Sequence, residues 1–381
     1  MPEYYDVIVA GGGPAGAATA IRLAAASRSV AVLERSRFER PRVGETLAPG
    51  IQPLLRDLGV WDRFCALGPL PSWGTRSIWD DPEPAEHSHL ISPYGSGWHV
   101  DRRAFDKMLA GAATDAGAHL STGVSVTACR YDGATWDVAC ATGRQLRARL
   151  LVDATGRPAT VSRSLAARRI AFDRLVAIAA NWHDIDVTDE HYLLVEAVAN
   201  GWWYTAPLPG NAMIGMLMTD ADLSRIDGLT LTAPWLRLLR ATTQTKTRVG
   251  GTRPQSAPRV HSAASHRTSR RGDTLLWIAV GDATLAVDPV SGSGVLRALR
   301  TAEDAADTAI RLLDHPGNAA ELLTRYESAR DSECATYLME RARYYTAVRR
   351  YATPFWTRRQ LPTSSLTNNQ RGQGRLDPIS M

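Results

Sequence analysis

Gly11-Gly12-Gly13-Pro14-Ala15-Gly16 separates an apolar run, Tyr5 to Ala10, from an alanine-rich segment that extends from about Pro14 to Ala26. The run reads as a strand and the segment as a helix. A second apolar run, Val30 to Leu33, ends at Glu34. Strand, helix and strand with short connections make a βαβ unit, the repeating element of a parallel sheet. In that setting G-x-G-x-x-G carries a mechanism. Gly11 makes the tight turn, Gly13 leaves room for a pyrophosphate against the backbone, and Gly16 lets the helix pack closely on the strand. The helix start around Ala15 turns free N–H groups toward the phosphates. Glu34 lies about 20 residues on and is placed to accept from ribose hydroxyls. A dinucleotide site is expected here, with Arg35 at its edge.

Working outward, Arg40 to Gly50 is rich in Pro and Gly and reads as a loop, and Gln52 to Leu58 as a helix. Residues 74–98 read as irregular and strand-like, and Arg102 to Ala116 as an amphipathic helix. Short strands are expected around Ser125–Tyr131, Trp136–Ala141 and Arg147–Val152. From 175 to 219 the pattern changes to successive strands, 175–182, 190–198, 201–208 and 211–219, which predict an antiparallel sheet. A helix at 232–241 and a buried strand, Leu275 to Val280, follow. Helices are expected at 295–314 and 318–348.

With 381 residues and 44% hydrophobic content, the chain can bury a large core with an inserted second unit. Its formal charge is only +5, and all but Lys107 and Lys246 of its 44 basic residues are arginine. No coherent basic face is visible, so nucleic acid is not an expected partner. The tract Arg267, Arg270, Arg271 reads as a solvated turn. Cys65, Cys129, Cys140 and Cys334 are scattered without CxxC spacing, so no metal site is expected. Glu3 and Asp6 argue against a signal peptide, and no apolar stretch is long enough to span a bilayer. A cytoplasmic protein without membrane contact is the expectation.

Further motifs follow the first. Val152-Asp153-Ala154-Thr155-Gly156-Arg157 ends a strand, Gly281-Asp282-Ala283 ends another, and Asp288-Pro289 leads through Ser291-Gly292-Ser293-Gly294 into a helix. In this order, over roughly residues 5–350, the chain resembles the FAD-binding monooxygenase superfamily. That group includes para-hydroxybenzoate hydroxylase and the flavin-dependent tryptophan halogenases. The resemblance implies an α/β fold with a Rossmann-like FAD-binding domain (1–75, 99–172 and 268–330). A substrate domain built on an antiparallel sheet (76–98 and 173–267) is inserted into it. C-terminal helices (331–360) and a polar tail (361–381), expected to be disordered, complete the chain.

The same resemblance assigns Asp282 to ribityl or ribose hydroxyls, and Arg102, at a helix start, to the FAD chain. Asp153 and Gly156 fall near the adenine and pyrophosphate. Arg35, Arg42, Thr46 and Pro289 are further expected cofactor contacts. The helix beginning near Gly292 and Gly294 points its N-terminus at the isoalloxazine, where it stabilises negative charge.

Arg42-Val43-Gly44-Glu45-Thr46-Leu47-Ala48-Pro49 resembles the Gly-Glu-Ser/Thr loop that lies over the flavin in the halogenase branch. Glu45 is the candidate there to act as a base or to fix the loop, and Gly44 the flexible approach. Gly201-Trp202-Trp203-Tyr204-Thr205-Ala206-Pro207 resembles that branch's Gly-Trp-x-Trp-x-Ile-Pro signature, with Tyr204 and Ala206 departing from it. Trp203 is the candidate wall of the aromatic cavity. His99, His183 and His191 fall in the same region as candidates for proton handling, though each reads more readily as an ordinary surface or packed histidine.

Halogenation in this family needs a lysine near the substrate, and none precedes Lys107. No acidic residue occurs in the eight positions after Ser291-Gly292-Ser293-Gly294 either. The chain therefore looks more like the small halogenase relatives, including the LodB-like group, that hydroxylate tryptophan in a partner polypeptide on the way to quinone cofactors. The expected activity is FAD-dependent hydroxylation of an indole or phenol, free or within a peptide or protein, through a C4a-hydroperoxyflavin. A flavin halogenase and a geranylgeranyl-reductase-type enzyme are the alternatives. No second G-x-G-x-x-G follows, so NAD(P)H acts either directly in a surface cleft or through a partner flavin reductase.

Overall fold

The computed structural model describes residues 3–187, 190–272 and 275–360. The tail expected to be disordered, 361–381, lies outside the described residues.

The first strand, Glu3–Ala10, and the strand Val30–Glu34 pair in parallel around the helix Pro14–Ala25. Glu3–Ala10 also pairs in parallel with Gln145–Asp153 on its other side. Gln145–Asp153 uses one further edge twice. Its first half pairs antiparallel with Trp136–Cys140, and its last three residues pair in parallel with Trp277–Ala279. A strand not expected from the sequence, His119–Thr122, extends the sheet beside Val30–Glu34. Three of its four residues are polar, and Leu120 is its single apolar side chain, so it carries no apolar alternation.

The helix Gly294–Asp314 packs against Pro14–Ala25. Its buried stripe of Ala298, Ala302, Ala305, Ala306 and Ala309 recurs at helical spacing, and the small side chains permit close approach. Among the described residues, no helix is long and apolar enough to cross a membrane.

The predicted antiparallel sheet forms from Leu175–His183, Ala212–Asp220, Gly201–Leu208 and Tyr192–Val198. It is extended by Arg259–Ser262 on one edge and by Gly74–Ile78 with Ala85–Ser88 on the other. Gly201 has φ +154°, and a Cβ there would sit 2.0 Å from the Met218 carbonyl oxygen, so this strand must open on glycine.

Strand alternation divides the aromatic motif between two faces. Trp203 joins Trp182 and Trp235 under the helix Thr232–Arg240. Trp202 and Tyr204 join the opposite core with Val43, Val290, Tyr345, Phe355 and Trp356. That second face is covered by the end of the helix Ala319–Ala347 and by Pro354–Thr357.

Arg267 corrects one expectation. It lies in the strand His266–Ser269 and is buried, not in a solvated turn. Asp331 accepts from its Nε at 3.0 Å, Thr284 Oγ1 accepts from Nη1 at 2.8 Å, and Glu327 pairs with Nη2. The long C-terminal helix thus supplies the carboxylates that make burial of this charge tolerable.

The C-terminal segment is tied down the same way. Arg359 and Asp220 form an ion pair with side chains only 2% exposed, and Phe355 O accepts from Arg359 at 2.8 Å. Asp220→Ala is expected to destabilise the protein by about 3–5 kcal/mol, because it strands the Arg359 charge in the core. Urea unfolding should show a lower midpoint at unchanged slope.

Candidate active site

The glycine turn is sterically closed against the neighbouring strand. Gly11 has φ +110°, and a Cβ there would lie 2.2 Å from Ala154 O. A Cβ on Gly16 would lie 1.9 Å from Gly11 O. Gly13 is different: the nearest atom to its Cβ direction is Arg42 Nη1 at 3.9 Å. The helix that starts there has no side-chain cap. Its first-turn N–H groups are left without a side-chain partner next to the room beside Gly13, an arrangement that fits a pyrophosphate.

Glu34 is buried at the end of its strand. Gly12 N donates to Oε2 at 2.8 Å, and Ser36 N donates to Oε1 at 2.9 Å. Burial pushes this carboxyl up, but the Ser36 and Gly12 hydrogen bonds and the Arg42 charge bring it below the usual carboxylate range. Arg42 reaches Glu34 at 3.1 Å and Asp106 at 2.6 Å. Arg102 donates to Val43 O at 2.8 Å, to Gly44 O at 3.1 Å and to Asp106. Asp106 thus anchors two arginines that hold residues 42–44 beside the glycine turn. Arg35 is exposed at the edge.

Asp153 is fully buried, and both of its oxygens are engaged within the chain. Thr155 donates to Oδ1 from N (3.0 Å) and Oγ1 (2.6 Å), and Ser162 N donates to Oδ2 at 2.7 Å. This carboxylate shapes the turn that carries Gly156, which has φ +70°. Asp282 is part-exposed and pairs with Arg157 at 3.3 Å. Pro289 opens a short 3-10 turn, Gly292 adopts φ +58°, and Gly294 begins its helix without a side-chain cap. A second helix start is thereby left open to negative charge.

Asp288, which sequence reasoning placed only within a motif, proves to be a hub. It accepts from Val290 N at 3.0 Å and from Tyr345 Oη at 2.8 Å, and Tyr345 Oη in turn accepts from Trp202 Nε1 at 3.1 Å. Burial holds its carboxyl above the usual range, against the Arg341 charge.

The loop carrying Glu45 meets the sheet through Tyr204. Glu45 is 3% exposed and accepts from Gly44 N at 2.8 Å. Burial pushes its carboxyl up to about 7, partly offset by backbone hydrogen bonds and Arg102. Thr46 Oγ1 lies 2.7 Å from Tyr204 Oη and 3.0 Å from His99 Nδ1. The structure therefore brings Glu45, Gly44 and Thr46 together with Tyr204 and His99, while Trp203 faces the far core. From the sequence His99 is one of three histidine candidates for proton handling, each read more readily as an ordinary histidine. Its meeting with Thr46 depends on the pairing of Thr46–Leu47 with Gly97–His99.

A cavity of about 410 Å³ is lined by Asp173, Arg174, Asp220, Asp222, Arg341, Arg358 and Arg359 together with Phe172. Arg341 connects it to Asp288 at 3.4 Å.

The profile of the tryptophan halogenase family matches residues 6–67 and 79–372. A protein named as an FAD-dependent oxidoreductase, LodB, of Marinomonas mediterranea is 30% identical over 368 residues, which span 94% of this chain and 97% of that protein. The solved structure of the myxobacterial chondrochloren halogenase CndH superposes with a TM-score of 0.86 at 25% identity, covering 95% of this chain and 87% of that one. The peptidyl tryptophan dihydroxylase QhpG, essential for tryptophylquinone cofactor biogenesis, shares the fold at a TM-score of 0.75 and 24% identity, over 93% of this chain and 78% of that one.

Proposed function

The chain belongs to the tryptophan halogenase family of FAD-dependent enzymes, and on that premise we propose that it hydroxylates an electron-rich aromatic ring, an indole or a phenol. The observation that carries hydroxylation over halogenation is the lysine inventory. The chain has two lysines, Lys107 and Lys246, and both are exposed. Neither stands in the core beside Glu45, so the amine that halogenation in this family requires is missing there.

Bound FAD, once reduced, supplies with O2 the electrophilic oxygen. The residues do the rest. Gly11, Gly13, Ala15 and Gly16 shape the turn for the pyrophosphate, and Glu34 offers its carboxylate to the ribose. Arg42, Arg102, Gly156 and Asp282 frame the chain of the cofactor, and Asp153, expected as a contact, instead shapes the Gly156 turn from within. Pro289, Gly292 and Gly294 set the second helix start toward its ring end, where a positive dipole favours developing negative charge. Glu45, with its carboxyl near 7, can hold or release a proton at Oε around neutral pH. Tyr204 presents the aromatic face and hydroxyl that meet this loop, and Trp203 supports the strand from behind.

A partner flavin reductase using NAD(P)H is the proposed source of reduced flavin. The substrate class follows the relatives: a small aromatic, or a tryptophan held in a peptide or protein. Halogenation is the second reading, favoured by the likeness to CndH.

The experiment supplies reductase, FAD, O2 and bromide with free tryptophan, phenols, pyrroles and tryptophan-containing peptides. Oxygen gain unaffected by bromide supports hydroxylation, and a brominated product replaces it with the second reading.

A further inference from the structure

We propose that one face of the helix Ala319–Ala347, made of Tyr337, Arg341 and Tyr345, positions Asp288 and the turn after it, and thereby tunes the reduction potential of a flavin bound at the Gly294 helix start. The proposal rests on placing the ring end of FAD at that helix start, and it holds for a hydroxylase and a halogenase alike. The three residues recur every fourth position, so they stand in one line along the helix.

All three reach Asp288, which is fully buried. Tyr337 Oη accepts from Asp288 N at 2.8 Å. Arg341 Nε donates to Asp288 Oδ2 at 3.4 Å, and Tyr345 Oη donates to the same oxygen at 2.8 Å. Oδ1 accepts from Val290 N at 3.0 Å. The Asp288 carbonyl oxygen accepts from Ser291 N at 3.1 Å and from Ser291 Oγ at 3.0 Å. The turn Pro289–Ser291 thus hangs on a residue that the helix grips by backbone and side chain together.

The same face is anchored to the antiparallel sheet. Arg341 Nη2 lies 2.9 Å from Asp173 Oδ2, and Asp173 Oδ1 accepts at 2.9 Å from the N of Leu175, the first residue of its strand. Trp202 Nε1, from the aromatic motif, donates to Tyr345 Oη at 3.1 Å. Tyr337 Oη lies 2.6 Å from Ser265 Oγ. None of the three is an expected cofactor contact, so each acts through Asp288 and is a positioning residue.

The effect on a flavin follows from charge. Asp288 lies in the turn that leads into the Gly294 helix start. A buried carboxylate there opposes the negative charge that a reduced ring carries. The donors on Oδ2 offset it, Arg341 with a full positive charge. Removing either donor leaves the carboxylate less compensated and the helix start less fixed, and both changes disfavour reduced flavin.

The test compares Tyr345→Phe, Arg341→Met and Arg341→Lys with the unaltered protein. Tyr345→Phe removes one hydroxyl at nearly constant volume. Arg330→Met is the control, because it breaks the ion pairs of another buried arginine on the same helix, with Asp304 at 2.6 Å and Glu333 at 3.1 Å. The reduction potential of the FAD-loaded protein is measured at pH 8. Tyr345→Phe and Arg341→Met are each expected to shift the equilibrium about tenfold toward oxidised flavin, about 30 mV for a two-electron couple. Arg341→Lys, which keeps the charge, recovers most of the shift. Arg330→Met lowers the unfolding midpoint and leaves the potential unmoved.

A second measurement needs neither flavin nor substrate. Amide hydrogen exchange of the apoprotein should show the Val290 N–H, which donates to Asp288, exchanging about tenfold faster in Tyr345→Phe and unchanged in Arg330→Met. A potential unmoved in Tyr345→Phe and Arg341→Met, or moved equally in Arg330→Met, overturns the proposal. Val290 exchange that ignores Tyr345→Phe overturns it too. A brominated product with the shift in potential intact would remove the hydroxylase reading and leave the positioning face standing.

Discussion

Gly13→Val is expected to abolish FAD binding while leaving the apoprotein folded. The backbone at Gly13, φ −73° and ψ −176°, suits any residue, and the nearest atom to an added Cβ is 3.9 Å away. The protein has nothing there to clash with. The pyrophosphate does, because the proposed site brings it against this backbone. The Kd for FAD should rise at least about 100-fold, or about 2.7 kcal/mol, with an unchanged unfolding midpoint for the apoprotein. Gly16→Ala is the contrasting control. Its Cβ would lie 1.9 Å from Gly11 O, so the helix start must move and the apoprotein itself should lose stability. Equal FAD affinity in Gly13→Val and the unaltered protein would remove the pyrophosphate from this turn.

Glu45→Gln is expected to lower product formation about 10²- to 10⁴-fold with FAD binding retained, the range for loss of one proton-transferring group. The same substitution has a signed effect on stability. The folded carboxyl is raised to about 7 from an ordinary value of 4.5. Below the ordinary value both states are protonated and nothing is lost. As pH rises the unfolded chain ionises first, so the carboxyl progressively favours unfolding, up to about 3 kcal/mol by pH 7 and above. Glutamine cannot ionise. The difference in unfolding free energy between the variant and the unaltered apoprotein should therefore move in the variant's favour from about pH 4.5 to 7 and then level off. A difference flat with pH would mean that Glu45 is ionised in the fold.

The glycine turn and the strands from 175 to 220 were readable because their signals are local: apolar runs, alternation and punctuating glycines. The hairpin Trp136–Cys140 with Gln145–Asp153 was readable for the same reason. His119–Thr122 was not, being a polar edge strand. Arg267 looked solvated because the carboxylates that receive it, Glu327 and Asp331, come from a helix far along the chain.

The site was half legible. Glu45 and Gly44 could be named from their motif, but Trp203 and Tyr204 are neighbours on one strand and point to opposite faces. Which face meets the flavin-side loop is decided by how the sheet docks, and no local period reports that. Thr46 and His99 face each other across two short strands whose register only the folded chain defines.

Oxygen labelling tests the central claim most directly. The FAD-loaded protein would be given reductase, a responding aromatic substrate, bromide and 18O2 in ordinary water. One heavy oxygen in the product ring, with no bromine, is the predicted result. Bromine in the product, or an oxygen drawn from water, would contradict hydroxylation by oxygen activated at the flavin.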